Sequence, residues 1–206
     1  STKTLIDSKS QKDFLLKEKV IKNINSDVIF NGSICGVDVD KFKPDPYIKE
    51  KTRKEMNIKD DDILLLFVGR LNKDKGVFDL LKAFHNLSKK FSNIKLLMVG
   101  SDEEQFLDYL LKNYPGLKEK IIIKNFTLET QKYYICSDIF IMPSYREGFG
   151  LASIEASSCG LPVIASNIYG LIDSVKDGVN GFLHQPGEEN KIELLVTKLI
   201  KNKNYI

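Results

Sequence analysis

The sequence predicts an α/β fold, a doubly wound parallel sheet with helices on both faces. Three features predict it. From Ile63 to the C-terminal end, short apolar runs alternate with longer stretches of helical periodicity, which is the pattern of successive βαβ units. The runs are nearly continuous rather than alternating apolar and polar, as parallel strands covered on both faces are. Glycine, proline, asparagine and aspartate mark the joints between them.

The elements follow in order. Ser10 opens a first helix, with Asp13 three residues on as its capping partner and Phe14, Leu15, Val20, Ile21 and Ile24 as its apolar positions. Val28–Phe30 is a short strand. Residues 31–46 hold Gly32, Gly36, Pro44 and Pro46 and form a loop that contains a domain boundary. A charged helix runs from Tyr47 to about Asn57. Ile63–Val68 is a buried strand, and the helix after it carries Val77, Leu80, Leu81, Phe84 and Leu87 on one face. Ile94–Val99 is the next strand, followed by a helix from about Glu103 to Asn113. Ile121–Ile123 is a strand and Glu129–Ser137 a short helix. Ile139–Met142 is a strand ended by Pro143. The turn Gly148-Phe149-Gly150 then starts a helix that Gly160 and Pro162 stop. Pro162–Ala165 is a strand, Leu171–Lys176 a short helix, and Asn180-Gly181 a tight turn into Phe182 and Leu183. The last helix has Ile192, Leu195, Val196, Leu199 and Ile200 along one stripe.

Composition narrows the function classes. A length of 206 residues allows one large domain or one domain plus a fragment. The net charge of +3 is too small to argue for a nucleic-acid partner. The lysine-rich ends (Lys12, Lys17, Lys19, Lys22 and Lys198, Lys201, Lys203) read as solvated helix faces. No apolar run reaches the length of about 20 residues that a membrane span needs, and no signal-peptide pattern opens the sequence. Cys35, Cys136 and Cys159 form no CxxC pair and read as free thiols in a reducing compartment. His85 and His184 stand alone, and no cluster has metal-ligand spacing, so no metal is expected.

Ligands of a doubly wound sheet sit outside the carboxyl ends of its strands, near the switch point. Residues 69–76, 100–103, 124–129, 143–150 and 166–170 should line that edge. Two of these segments carry chemistry. In residues 69–76, Arg70 and Lys75 are placed to neutralise a diphosphate and the charge that grows on it as it departs. Alternatively both are surface charges in a solvated loop, with Gly69 and Gly76 merely allowing the turn. In residues 143–155, Glu147 and Glu155 bracket the glycine turn. A helix start with two glycines offers free N–H groups and the positive end of the dipole, which suits a phosphate. Carboxylates beside a phosphate seat suit a ligand that also bears hydroxyls. The plain alternative is an acid decorating a helix N-terminus, which covers Glu147 but not Glu155, where the dipole gain has faded. A dinucleotide site is the sharper rival. Gly148-Phe-Gly150-Leu-Ala-Ser153 is a near miss to G-x-G-x-x-G, with Asp173 roughly 20 residues on. Against it stand Ser153 in the third position, the late place of the motif, and the Arg146-Glu147 turn ahead of the glycines.

Four blocks together carry a family resemblance: Gly69-Arg-Leu-x-x-x-Lys-Gly76, then Pro143-Ser-x-x-Glu-Gly-Phe-Gly-x-x-x-x-Glu-Ala156, then Gly160-x-Pro-Val-Ile-Ala165, then Asp177-Gly-x-Asn-Gly-Phe182. In this order they resemble the C-terminal donor-binding domain of retaining GT-B glycosyltransferases of family four, the group 1 type. Asn31-Gly, Gly36-Val37-Asp38 and Phe42-x-Pro44 resemble that family's inter-domain linker. The resemblance implies a Rossmann-like half of a GT-B fold. Residues 1–45 would be the tail of the N-terminal acceptor domain with the linker, and residues 46–206 the nucleotide-sugar donor-binding domain. It implies that Arg70 and Lys75 bind the donor diphosphate and that Glu147 contacts the sugar hydroxyls. Gly69 and the backbone of Gly148, Phe149, Gly150 and Leu151 would contact sugar and phosphate, Glu155 would hold the ribose hydroxyls, and Asn125, Phe126 and Thr127 would form the loop beside the base. It implies no cofactor and no metal, with a nucleotide-diphosphate sugar, UDP-linked first of all, as donor substrate and a glycan or lipid-linked molecule as acceptor. The expected place is the cytoplasm, at most peripheral at the inner face of the membrane, in surface polysaccharide synthesis.

The sequence departs from the pattern after the Pro162–Ala165 strand. Paired glycines and a glutamate are usual there, whereas Tyr169 stands at the first glycine and Asp173 at the acid. This leaves the sugar end of the pocket undefined. An NAD-binding oxidoreductase domain and a non-catalytic nucleotide-binding module remain the other two readings.

Overall fold

The computed structural model describes residues 3–202; Ser1, Thr2 and residues 203–206, with Lys203 of the basic C-terminal face, lie outside the described residues. Two sheets form. The small one pairs β1 (Thr4–Ile6) in parallel with β2 (Ser26–Val28), and α1 (Lys9–Lys17) connects them. The loop of residues 29–45 leads from there to α2 (Pro46–Glu55), where Asp45 caps the first turn through Ile48 N at 2.9 Å and Pro46 takes the position that needs no N–H donor.

The large sheet is parallel throughout. Its strands are β3 (Ile63–Val68), β4 (Ile94–Val99), β5 (Ile121–Lys124), β6 (Ile139–Met142), β7 (Val163–Ser166) and β8 (Gly181–His184), in the spatial order 5-4-3-6-7-8. The chain winds outward from β3 to β5, then crosses back to start again with β6 on the other side of β3. The switch point therefore lies between β3 and β6, and the loops that leave their carboxyl ends flank one crevice.

Both faces are covered. The helices α3 (Val77–Lys90), α4 (Phe106–Asn113) and α8 (Glu189–Lys201) pack on Leu65, Phe67, Leu96, Met98, Ile141 and Ile164. On the other face, α2, α5 (Gln131–Cys136), α6 (Leu151–Ser158) and α7 (Leu171–Ser174) pack on Leu64, Leu66, Leu97, Phe140 and Ala165. Alternate residues of one strand thus enter opposite cores, which is why the strands are apolar without alternation. The Arg53 guanidinium on α2 is buried and donates to the carbonyls of Cys136 (3.0 Å), Lys59 (2.8 Å) and Asp62 (2.5 Å) and to Asp138 (3.2 Å). This ties α2 to the amino edge of the sheet with most of its donors satisfied.

The strands β3, β4 and β6 span the residues the apolar runs predict. Elsewhere the structure corrects the expectation. Ser8, not Ser10, caps α1, accepting from Gln11 N at 3.2 Å. The helix stops at Lys17, so Val20 and Ile24 lie beyond it and are exposed, and it buries no residue. β2 ends at Val28, and Phe30 sits in a left-handed turn with φ 48°. α4 begins at Phe106 rather than Glu103, because the Asp102 carboxylate accepts from the amides of Glu104, Phe106 and Leu107 and holds the intervening residues in a turn. The residues after Asn180 form the edge strand β8, pairing with β7 from Val163↔Gly181 to Ser166↔His184.

Candidate active site

The loop after β3 is shaped by its own side chains. Asn72 Oδ1 accepts from Lys75 N at 3.1 Å and folds residues 73–75 into one 3₁₀ turn. Gly76 follows with φ 69°, and a Cβ there would lie 2.0 Å from the Pro143 carbonyl oxygen. Only glycine lets the start of α3 rest on the end of β6. The two loops of the switch point are joined further by Tyr145 N donating to Asp74 O at 2.8 Å and by an ion pair between Arg146 and Asp74.

This contact brings Lys75 and Glu147 together from 72 positions apart. Lys75 Nζ lies 2.6 Å from Glu147 Oε1, with side-chain exposures of 19% and 11%. Ser144 Oγ donates to the same oxygen at 2.8 Å. Arg70 behaves differently. It is more than half exposed and its guanidinium lies 3.2 Å from Glu103 Oε2, an oxygen that also accepts from Asn72 Nδ2 at 2.7 Å. Glu103 was among the edge residues in the sequence but had no role assigned; only the fold shows that it steadies Arg70. Gly69 and Arg70, with Val99, Ser101, Phe126, Thr127 and Thr130, line a mostly apolar hollow of about 190 Å³. Phe126 and Thr127 of the expected base loop are among its lining residues, and Asn125 is not.

The glycine turn opens α6 with Gly150 at the N-cap and no side chain capping it. The first amides of the helix and the positive end of its dipole are left for an anion. Gly148 and Phe149 are covered from an unexpected quarter: a Cβ on Gly148 would lie 3.0 Å from Asp7 Oδ2, and one on Gly32 would lie 2.7 Å from the Phe149 ring. Glu155 is half-buried one and a half turns along α6. Burial raises its carboxyl above the ordinary range, and Tyr134 and Lys41 oppose that rise. The neighbouring Cys159 thiol is pushed up to about 12 by burial and by Glu155.

The family departures acquire contacts. Tyr169 stacks on Phe14 with ring centroids 4.5 Å apart and planes 16° from parallel. Asp173 accepts two hydrogen bonds from Ser10. Among the described residues, no group of three or more His, Cys, Asp or Glu side chains gathers as a metal site, and no helix is long and apolar enough to cross a membrane.

The family model described as "Glycosyl transferases group 1" matches residues 48–205. The capsular polysaccharide biosynthesis glycosyltransferase CapM of Staphylococcus aureus is 33% identical over 205 residues, which is 96% of this chain and 52% of that protein. The lipopolysaccharide 1,2-N-acetylglucosaminetransferase of Salmonella typhimurium is 31% identical over 82% of this chain and 46% of its own. The crystal structure of Anabaena HepE in complex with UDP and glucose superposes on all of this chain and 55% of that one, with a TM-score of 0.86 at 22% identity, a likeness of fold. The chain spans about half the length of the curated relatives it matches.

Proposed function

The chain belongs to the glycosyl transferases group 1 family, and on that premise we propose that it is the nucleotide-sugar-binding part of a retaining glycosyltransferase that moves a sugar from a nucleotide diphosphate to a glycan or lipid-linked acceptor. The observation that carries the reading is the Lys75–Glu147 pair at the switch point, beside the uncapped start of α6. A cation, an acid and free helix amides in one crevice match the three parts of a nucleotide sugar that need recognition: diphosphate, hydroxyls and anomeric centre.

In this reading the diphosphate rests on the amides after Gly150, with Lys75 and Arg70 supplying positive charge. As the bond from the anomeric carbon to the phosphate oxygen breaks, the electron pair goes to the diphosphate, and fixed cations stabilise that charge more in the transition state than in the ground state. Glu147, anchored by Ser144 and Lys75, accepts from sugar hydroxyls. Glu155 accepts from the ribose hydroxyls, and the hollow beside Phe126 and Thr127 receives the base. Residues 1–45 serve as the tail of an acceptor domain and its linker, and residues 46–206 as the donor domain. The separate two-stranded sheet of β1 and β2 supports that division. HepE binds UDP and glucose, and CapM belongs to capsule synthesis; by analogy a UDP-sugar donor and a role in surface polysaccharide synthesis on the cytoplasmic side, with at most peripheral membrane contact, form part of the proposal. So does independence from metal ions. The oxidoreductase reading loses its ground: the glycine turn follows β6, in the second half of the sheet, and Ser153 is buried with its hydroxyl donating to Gly150 O at 2.7 Å.

A thermal-shift screen against UDP-, GDP-, ADP- and dTDP-sugars and NAD in EDTA tests the proposal. A ligand at about 100 times its dissociation constant adds roughly 2.7 kcal/mol of stability. Stabilisation by one nucleotide class is expected; stabilisation by NAD alone would contradict it.

A further inference from the structure

We propose that Ser10 and Asp173 are positioning residues for the glycine turn, and that the clasp between them sets where Glu147 and Gly148 stand against the donor sugar. This role rests on the donor reading above, since the sugar would sense a shift of that turn.

Asp173 Oδ2 accepts from Ser10 N at 2.9 Å and from Ser10 Oγ at 2.5 Å. Ser10 is the second residue of α1, so its amide is one that a helix leaves unpaired, and a carboxylate 163 positions away satisfies it at the positive end of the dipole. The same hydroxyl accepts from Gly170 N at 2.7 Å. A serine hydroxyl has one donor and two acceptor sites, so the bonds to Asp173 and Gly170 coexist. Gly170 has φ 81°, and a Cβ on it would fall 2.5 Å from Glu147 O and 2.8 Å from Gly148 O. The backbone of Gly170 is therefore in contact with the peptide that carries the Glu147 carboxylate. Contact passes from Ser10 to Gly170 to Glu147 without a gap.

The opposite side of the turn meets the same N-terminal segment. Asp7 approaches Gly148, and Gly32 approaches Phe149. The Phe14–Tyr169 stack adds a second attachment between α1 and the start of α7. The two positions where the sequence leaves the family pattern, Tyr169 and Asp173, are the two that grip α1. The turn is held between α7 on one side and residues 7–32 on the other, so its place depends on where α1 sits.

Two measurements on the 206-residue chain test this, each with Ser10→Ala, Asp173→Asn and the conservative Ser10→Thr. The first is amide hydrogen exchange. Exchange at the Gly170 amide, which donates to Ser10 Oγ, is expected to rise about tenfold in the alanine and asparagine variants, the scale of losing one hydrogen bond, with β3 and β4 unchanged and Ser10→Thr near wild type. The second is the affinity for UDP-glucose relative to UDP. The two disruptive variants are expected to bind UDP within about twofold of wild type while losing most of any preference for the sugar form, and Ser10→Thr to recover it; an effect confined to capping α1 would leave that ratio alone. Unchanged exchange at Gly170 overturns the clasp, and an unchanged preference overturns its positioning role. A wild-type chain that binds neither UDP nor UDP-glucose overturns the donor reading instead, and the exchange result then still decides whether the clasp holds Gly170 against the turn.

Discussion

Lys75 and Glu147 pair in a crevice that leaves both side chains mostly buried. An ammonium has three donors, so Lys75 keeps Glu147 and still offers hydrogen bonds to a phosphate. Glu155 is a different kind of acid. Its carboxyl is raised by burial above the usual value of 4.5, so the folded chain holds that proton to a higher pH than the unfolded chain does. Stability therefore falls as pH rises through the interval between the unfolded and folded values, and above it Glu155 stays ionised at a net cost to the fold. A carboxylate that weakens the fold and lies in the proposed nucleotide site is suited to binding. Glu155→Gln is expected to keep or raise the melting temperature at pH 7 while lowering UDP affinity about tenfold, or 1.4 kcal/mol. Calorimetry and titration of the same sample check it; a lower melting temperature with unchanged UDP affinity would assign Glu155 to the core.

At the level of elements, the crevice depends on how closely α3 approaches the end of β6. Gly76→Ala puts a methyl group against the Pro143 carbonyl at positive φ and is expected to cost more than about 1 kcal/mol in denaturant unfolding and to weaken UDP binding. Gly116→Ala, where a Cβ meets nothing within 4 Å, should stay within about 0.5 kcal/mol. The edge strand β8 carries a pH-sensitive group. His184 is buried, its Nδ1 lies 2.8 Å from the Gln185 carbonyl, and burial lowers its pKa below 6.5 against the opposing pull of Gln185, Glu188 and Asp79. The unfolded chain takes up that proton first, so stability falls as pH drops below about 6.5 and keeps falling until the folded imidazole protonates. Urea unfolding between pH 5 and 8 should show a shallower acid loss in His184→Gln. The elements differ in how plainly the sequence shows them. β3, β4 and β6 were legible to the residue because burial on both faces leaves uninterrupted apolar runs. β8 was not, because Asn180-Gly181 has the chemistry of a tight turn and only four residues follow in the strand. The start of α1 falls two residues before the expected Ser10: Ser8 caps it through Gln11 N, and the Ser10 hydroxyl is engaged by Asp173, far along the chain.

At the level of the whole molecule, the doubly wound topology decides where chemistry gathers. The order 5-4-3-6-7-8 sets the loops after β3 and β6 side by side; the sequence places both loops on one edge, and the direct pairing of Lys75 with Glu147 is what the fold adds. The cover that residues 7–32 give to Gly148 and Phe149 was not foretold, since it depends on how a short N-terminal segment docks and no periodicity encodes that. The partner of Arg70 was equally hidden, because Glu103 reaches it from a neighbouring strand end. If this crevice binds a nucleotide sugar, Lys75 carries much of the affinity. Titration calorimetry of UDP into the chain and into Lys75→Met, both in EDTA, decides it. Saturable binding that the substitution weakens about tenfold or more is the expected result; no binding of UDP, or equal binding by both proteins, would mean that this crevice is not a nucleotide-sugar site.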